Sequence, residues 1–415
     1  MAHRINMSCG QTDLYPECLA ELGVQLGGPL YYPPYKEIED EARGLLKKLM
    51  NTENGPMLIP GSATYGEEAA MISVLEPGDK VLTVNSGTFG QVLADLARVT
   101  GAEPVEIKLE QGHAVDPGAI ERRLSEDQDI KMVAVVHVET SMGVMNPVGE
   151  IGEVLRRFPD VLYMVDAVSS LGGTEVRVDD WGIDVCCTSP QKCLNAPQGL
   201  AIVTASEKAW RAITYRRSPM TTLCLDLFTW RGYHGEKDAG EKKEGSEFED
   251  RSFQSEKEGN ASESEDGSFQ RVRAAHGPSP SYVLVKGLRA SLRAIFDEGP
   301  ENVFRRHRLA AKAVRAALRA MGLRIMAADE TVAAPVCTRI VWPEGFDASN
   351  LLKILLEEHG VVLGGHRIGT MGFVAQPEYV LTTISALERS LLAMGHEVPL
   401  GAGVSAANQV FAQGE

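Results

Sequence analysis

No apolar run in this 415-residue chain approaches the roughly 18 residues that a membrane-crossing helix needs. Positive charge is also scarce, with 41 Lys and Arg against 57 Asp and Glu and a net charge of −16. A field of that sign argues against nucleic acid or an anionic membrane as partner. The seven cysteines are an odd count, none forms a C-x-x-C pair, and Cys186 and Cys187 are adjacent. A disulfide framework is therefore not expected, no metal ligands are assigned, and a reducing, cytoplasmic setting fits. Residues 1–20 mix His3, Arg4, Asp13 and Glu17 without an apolar core, so no signal peptide is expected there.

What is present suffices for a sizeable core. Hydrophobic residues make up 44% and charged ones 24%, and the length suits one large domain plus a smaller one. Short β-branched runs at 81–84, 133–138, 161–165 and 201–204 read as buried strands, with amphipathic stretches at 90–100 and 116–124 between them. That alternation predicts an α/β fold with a mostly parallel sheet and helices on both faces. Chemistry is then expected just beyond the carboxyl ends of the strands.

Residues 302–321 carry apolar side chains at helical spacing, with arginines at other positions that read as a solvated helix surface. A strand at 338–342 and helices at 348–358 and 378–393 follow, which predicts a smaller α+β domain. The expected division is 1–285, with an N-terminal arm, and 286–415. Residues 235–271 contain no Val, Ile, Leu or Met and hold twelve acidic against six basic residues. Such a segment cannot offset its chain entropy by burial, so it reads as a disordered acidic insertion.

Three segments carry chemistry. In Ser189-Pro-Gln-Lys-Cys-Leu-Asn-Ala-Pro197, Lys192 sits in a neutral loop after an expected strand at 183–187. A lysine whose surroundings disfavour the ammonium can condense with an aldehyde. Asp166 ends the buried run Val161-Leu-Tyr-Met-Val165 and must find a positive partner to offset its burial. The ring nitrogen of pyridoxal phosphate is such a partner. Pro60-Gly-Ser-Ala-Thr-Tyr-Gly66 leads into a helical pattern, so backbone N–H groups and hydroxyls meet where a phosphate could sit. A ligand-free alternative stands beside it, because Thr64-x-x-Glu67 also reads as a capping box. Phe89 is open to reading as a core aromatic, Cys193 as a bystander thiol, and His137 as a hydrogen-bonded histidine at a strand end.

Taken in order, these segments resemble the class V aminotransferases. The resemblance rests on Gly61-Ser-Ala-Thr64, Glu76-Pro-Gly-Asp-Lys80, Asn85-Ser-Gly-Thr-Phe-Gly90, His137-Val-Glu-Thr-Ser-Met-Gly143, Asp166-Ala-Val-Ser-Ser-Leu-Gly-Gly173 and the Lys192 loop. Within that family the alanine–glyoxylate and serine–pyruvate type is nearest, and Thr370-Met-Gly-Phe-Val-Ala-Gln-Pro-Glu-Tyr379 looks like its pyridoxamine–pyruvate branch. The resemblance implies the fold-type-I architecture of pyridoxal-phosphate enzymes and a homodimer or a dimer-based tetramer.

It also implies roles. Lys192 would be the Schiff-base lysine and Asp166 the partner of the ring nitrogen. Phe89 and Val168 would flank the ring, while Ser62, Ala63, Thr64 and Gln191 would hold the phosphate. Thr140 would reach the phenolic oxygen, and Ser279, with His276 as the alternative, would serve the partner subunit's phosphate. Arg367 would take the substrate carboxylate, with Tyr31 on the substrate side. Three departures stand out: the segment 361–367 before that arginine is short, Ser62 replaces the acidic residue of the pyridoxamine branch, and the acidic insertion precedes the segment that would cross the dimer interface. The activity so implied moves an amino group from alanine, serine or pyridoxamine to pyruvate or glyoxylate, with pyridoxal or pyridoxamine as a possible substrate of the cofactor site itself. A lyase or desulfurase of the same fold, whose cysteine would be Cys337, and a non-catalytic interaction protein are the alternatives.

Overall fold

The computed structural model describes residues 4–25, 27, 33–234 and 281–414. The strands are β1 (Ile5–Met7), β2 (Met57–Pro60), β3 (Lys80–Asn85), β4 (Glu103–Lys108), β5 (Ile130–Val136), β6 (Val138–Glu139), β7 (Val144–Met145), β8 (Leu162–Asp166), β9 (Val185–Thr188), β10 (Leu200–Ala205), β11 (Arg324–Ile325), β12 (Cys337–Val341), β13 (Val361–Leu363) and β14 (Arg367–Gly369). The helices are α1 (Pro16–Leu22), α2 (Pro33–Met50), α3 (Ala63–Val74), α4 (Thr88–Val99), α5 (Pro117–Glu126), α6 (Val148–Leu155), α7 (Glu207–Thr214), α8 (Leu227–Tyr233), α9 (Tyr282–Glu298), α10 (Pro300–Ala320), α11 (Ala348–His359), α12 (Pro377–Ala393) and α13 (Ala402–Gln413).

Seven strands form the main sheet in the order β2-β10-β9-β8-β5-β3-β4, and β10 alone runs against its neighbours. β8, β9 and β10 are buried at every position because helices cover both faces. Ile38, Ile120, Ile151 and Leu288 from α2, α5, α6 and α9 pack on one face. Ala69, Leu93, Trp210 and Trp230 from α3, α4, α7 and α8 pack on the other. Helix starts follow local chemistry. Asp116 accepts from Gly118 N at 2.9 Å ahead of Pro117, and Ser206 caps α7 through Ala209 N.

The run expected at 133–138 breaks at His137. Its N–H donates to Asp166 O at 2.9 Å and its carbonyl accepts from Asn146 N, so the chain leaves the sheet into the β6–β7 hairpin. The smaller unit holds an antiparallel sheet β11-β12-β14 and a core of α10, α11, α12 and α13 residues. β1 pairs in parallel with β13, so the N-terminal strand joins the last third of the chain. Residues 235–271 lie outside the described residues.

The expectation of a solvated arginine face holds for Arg305, Arg308 and Arg319, which are exposed, and fails for Arg306 and Arg315. Arg306 is mostly buried, with Nη2 donating to Glu298 and to Tyr15 Oη at 3.0 Å. Arg315 donates to Glu330 at 2.8 Å and to Ala334 O at 3.1 Å. These guanidiniums tie α10 to neighbouring segments, because long arginine stems can bury while the head finds fixed acceptors. His307, fully buried in the same helix, accepts from Gly372 N at 2.8 Å.

Candidate functional site

The carboxyl ends of β3, β5, β8 and β9 converge, and the residues expected to carry chemistry lie there. Asp166 closes β8, opposite Val136 of β5 and Cys187 of β9. Its side chain is 5% exposed and accepts from Val168 N at 2.8 Å. It also shares a hydrogen bond with the carboxyl of Glu67, 4% exposed on α3. Two carboxylates at that separation cannot both ionise in a dry site. Burial pushes both upward; the Asp166 charge adds to the rise of Glu67, while the hydrogen bond from Glu67 opposes that of Asp166, so Glu67 carries the shared proton.

This geometry replaces the expected capping box. Ser62, not Thr64, caps α3 by accepting from Tyr65 N at 3.2 Å. Glu67 points inward because its position on the helix faces the sheet, away from the first turn.

Glu139 is the third buried carboxylate. It accepts from Phe89 N at 2.9 Å, Gly90 N at 3.0 Å and Ser141 N at 3.0 Å, and from the Ser141 hydroxyl. Its charge thus rests on the N-terminal turn of α4, where the helix dipole stabilises an anion.

Lys192 stands four positions beyond the end of β9 and is 9% exposed. Its Nζ donates to the carbonyl of Cys9. Burial lowers its pKa, and the nearby Arg367 charge adds to that effect. The loop around it is fixed from outside. Thr12 N donates to Gln191 O at 3.0 Å, Thr12 Oγ1 to Lys192 O at 2.9 Å, and Asn195 Nδ2 to Asp13 O at 2.7 Å. Asn195 itself sits at φ 49° and accepts from Phe373 N at 2.8 Å. An amine already ordered and poorly solvated loses little on condensing with an aldehyde.

The other expected positions fall around this pair. Ser62, Ala63 and Thr64 form the N-terminus of α3, whose first N–H groups have no partner within the helix. The buried Gln191 Oε1 and Ser189 Oγ have no hydrogen-bond partner. Phe89, in the first turn of α4, remains 36% exposed, which fits a platform for a flat ring better than a core position. Val168 follows Asp166 by two residues and is half-buried. Thr140 is buried, and its Oγ1 accepts from Arg367 Nη1 at 3.5 Å. The short segment before Arg367 is a tight turn in which Gly364 N donates to Arg367 O at 3.1 Å and Gly365 takes φ 69°. Tyr31, His276 and Ser279 lie outside the described residues.

Three side residues resolve differently. Cys193 is fully buried, and burial pushes its thiol up to about 12, so it supplies no thiolate. Cys337 is likewise buried at the start of β12, hydrogen-bonded to Cys9, with its thiol pushed well up. His137 is not the hydrogen-bonded histidine expected. Its Nδ1 has no partner, its ring packs edge-on against Trp181 at 5.7 Å, and burial lowers it to about 4. Glu139 and Thr12 went unread in the sequence, and Glu67 was read only as a capping residue. Only the apolar neighbours of Glu67 (Ala69, Ala70, Met71) signalled that its face is buried.

A poorly solvated amine, a buried acid, an exposed aromatic platform and an open helix N-terminus all lie at the carboxyl ends of strands of one sheet. Such a set fits a flat aldehyde cofactor that carries a ring nitrogen and a phosphate.

Known proteins are similar to this chain over most of its length. A family model described as class V aminotransferase matches residues 35–227. An uncharacterized aminotransferase of Methanocaldococcus jannaschii is 34% identical over 98% of this chain and 97% of its own. The pyridoxamine–pyruvate transaminase of Mesorhizobium japonicum is 31% identical over 98% of this chain and 96% of its own. The crystal structure of a ureidoglycine–glyoxylate aminotransferase from Bacillus subtilis superposes with a TM-score of 0.84, 31% identity and 99% coverage of both chains.

Proposed function

Since this chain belongs to the class V aminotransferases, pyridoxal-phosphate-dependent enzymes of fold type I, we propose that it transfers an amino group from a small amine or amino acid to pyruvate or glyoxylate. The observation that carries the reading is the meeting of the buried Lys192 amine and the buried Asp166 carboxyl at adjacent strand ends. Relatives named for pyridoxamine and pyruvate, and for ureidoglycine and glyoxylate, support the substrate class. Alanine, serine and pyridoxamine are the donors to examine first.

When bound, pyridoxal 5′-phosphate supplies an aldehyde carbon that exchanges amines and a ring that accepts an electron pair. Lys192 anchors that aldehyde. Its free amine would take the proton from the donor's α-carbon and return it to the carbon on the far side of the amine nitrogen, acting first as base and then as acid. A lowered pKa suits a group that must accept a proton near neutrality. Asp166 holds the proton on the ring nitrogen, and Glu67 donates to Asp166 so that the carboxylate keeps one orientation. Phe89 and Val168 would confine the ring, and Ser62, Ala63, Thr64 and Gln191 would take the phosphate. Thr140 would reach the phenolic oxygen. Arg367 orients the carboxylate of either substrate by two parallel hydrogen bonds.

In the homodimer or dimer-based tetramer we propose, Ser279 would serve the phosphate of a second copy and Tyr31 the substrate, both roles resting on the family resemblance. We also propose a cytoplasmic setting, which the seven free cysteines support. The division into 1–285 and 286–415 belongs to the same proposal. α9 and α10 span that junction, since Leu288 and Phe304 pack with the main sheet and Ala313 with the smaller unit. A desulfurase reading is disfavoured by the burial of Cys337 within a strand.

The test is a donor screen of the holoenzyme with pyruvate and with glyoxylate, including alanine, serine and pyridoxamine. Turnover that needs Lys192 supports the proposal. Absence of transamination with every amine would overturn it.

A further inference from the structure

Arg367 has a second guanidinium opposite it. β12 and β14 are antiparallel, and Arg339 pairs directly with Arg367. Because Ile340 N donates to His366 O at 2.7 Å, the neighbouring pair 340/366 exchanges the ladder hydrogen bonds and the pair 339/367 does not. Side chains at such a site share one face and lie close, with Cα atoms about 4.5 Å apart. Like charges placed this way repel each other and destabilise a sheet unless something neutralises them.

Among the described residues, no carboxylate forms an ion pair with either arginine. Arg339 Nη1 donates to the carbonyl of Ser141, and its buried Nε has no partner. Arg367 donates to Gly364 O at 3.2 Å and to Thr140 Oγ1 at 3.5 Å. The acids nearby are already engaged, Glu139 by four donors and Asp166 by Glu67 and Val168. Burial and the Arg367 charge lower the Arg339 pKa, as expected for cations crowded in a site that lacks an anion. Adjacent Thr140 and Ser141 anchor the two guanidiniums, one on each residue.

We propose that Arg339 and Arg367 together bind a substrate with two carboxylates, an amino dicarboxylic acid of four or five carbons or its 2-oxo counterpart. Arg367 takes the carboxylate beside the reacting carbon, and Arg339 takes the distal one through its free Nε and a terminal nitrogen. A single carboxylate would neutralise one guanidinium and leave the other facing it, whereas a short diacid neutralises both. This assignment rests on the aminotransferase reading for the order of the two carboxylates, but the anion site itself does not.

Binding and turnover separate the two ideas. Titration calorimetry of the holoenzyme with succinate and with butyrate, acids of equal carbon number, reads the second carboxylate without catalysis. Succinate should bind at least ~10-fold more tightly, the lower end for a charge-assisted hydrogen bond. Arg339→Gln should bring the two affinities to within about 3-fold of each other, and Arg339→Lys should restore part of the difference. With glyoxylate as acceptor, the ratio of kcat/KM for aspartate to that for alanine should fall at least ~10-fold in Arg339→Gln. Equal binding of succinate and butyrate by the wild type overturns the proposal even if both substitutions fail to fold. So does an unchanged aspartate-to-alanine ratio. Tight succinate binding without any transamination would support the two-carboxylate site and contradict the transaminase reading alone.

Discussion

Replacing Glu67 with Gln tests whether a buried proton is shared at the foot of the site. In the wild type, Glu67 has an ordinary value of 4.5 and is driven well above it by burial and by the Asp166 charge. The folded protein therefore retains a proton on Glu67 that the unfolded chain has released once pH exceeds about 4.5. The folded-state value is raised, so the group's contribution is most favourable below the unfolded value and is lost as pH rises towards the folded one. Each pH unit in that window costs about 1.4 kcal/mol per retained proton. Glutamine keeps a donor to Asp166 but carries no titrating proton, so the variant escapes one such loss.

The expected result is that Glu67→Gln matches the wild type near pH 5 and gains about 1.4 kcal/mol on it per unit up to pH 7. Asp166 itself titrates in both proteins, so its rise cancels in the difference. The assay is urea denaturation of cofactor-stripped protein at pH 5, 6 and 7. Parallel stability profiles for the two proteins would refute the shared proton.

Asp166→Asn should retain cofactor but lose at least ~100-fold in kcat, about 2.7 kcal/mol, because an amide cannot hold the ring nitrogen protonated; a loss of a few-fold would make the carboxylate structural. Gly372→Ala should lower stability by about 3 kcal/mol or more and weaken cofactor retention. A Cβ there would stand 1.5 Å from Asn195 Oδ1 at φ 69°, three residues beyond Lys192, and an unshifted melting temperature would contradict that packing. Arg367→Lys should bind cofactor normally and raise KM for glyoxylate and pyruvate at least ~10-fold, since an ammonium cannot make the paired bonds. Unchanged KM for both acids would remove Arg367 from the site.

The main sheet was legible because its strands are continuous apolar runs, which a doubly covered parallel sheet requires. Each of the five expected strands of that sheet overlaps one in the structure, whereas β2, β4 and the break at His137 were missed. That break depends on hydrogen bonds to Asp166 and Asn146, which no local pattern encodes. Lys192 and Asp166 were legible through their flanking motifs. The fixation of the Lys192 loop by Thr12 and Cys9 was not, because the partners are some 180 residues away in the chain. Glu67 was misread since a carboxylate three residues after a threonine satisfies the capping pattern, and only the sheet beneath α3 shows that it points inward. Arg339 looked like any strand residue until the antiparallel register set it against Arg367. α13 was overlooked because its alanines give a weak periodic signal.

The central claim is that Lys192 is the lysine that holds the cofactor, and borohydride reduction followed by peptide mass mapping tests it most directly. Reduction should fix one pyridoxyl group on the peptide containing Lys192. Lys192→Ala should show no adduct and no transamination. A pyridoxyl group on another lysine, or normal turnover by Lys192→Ala, would contradict the account.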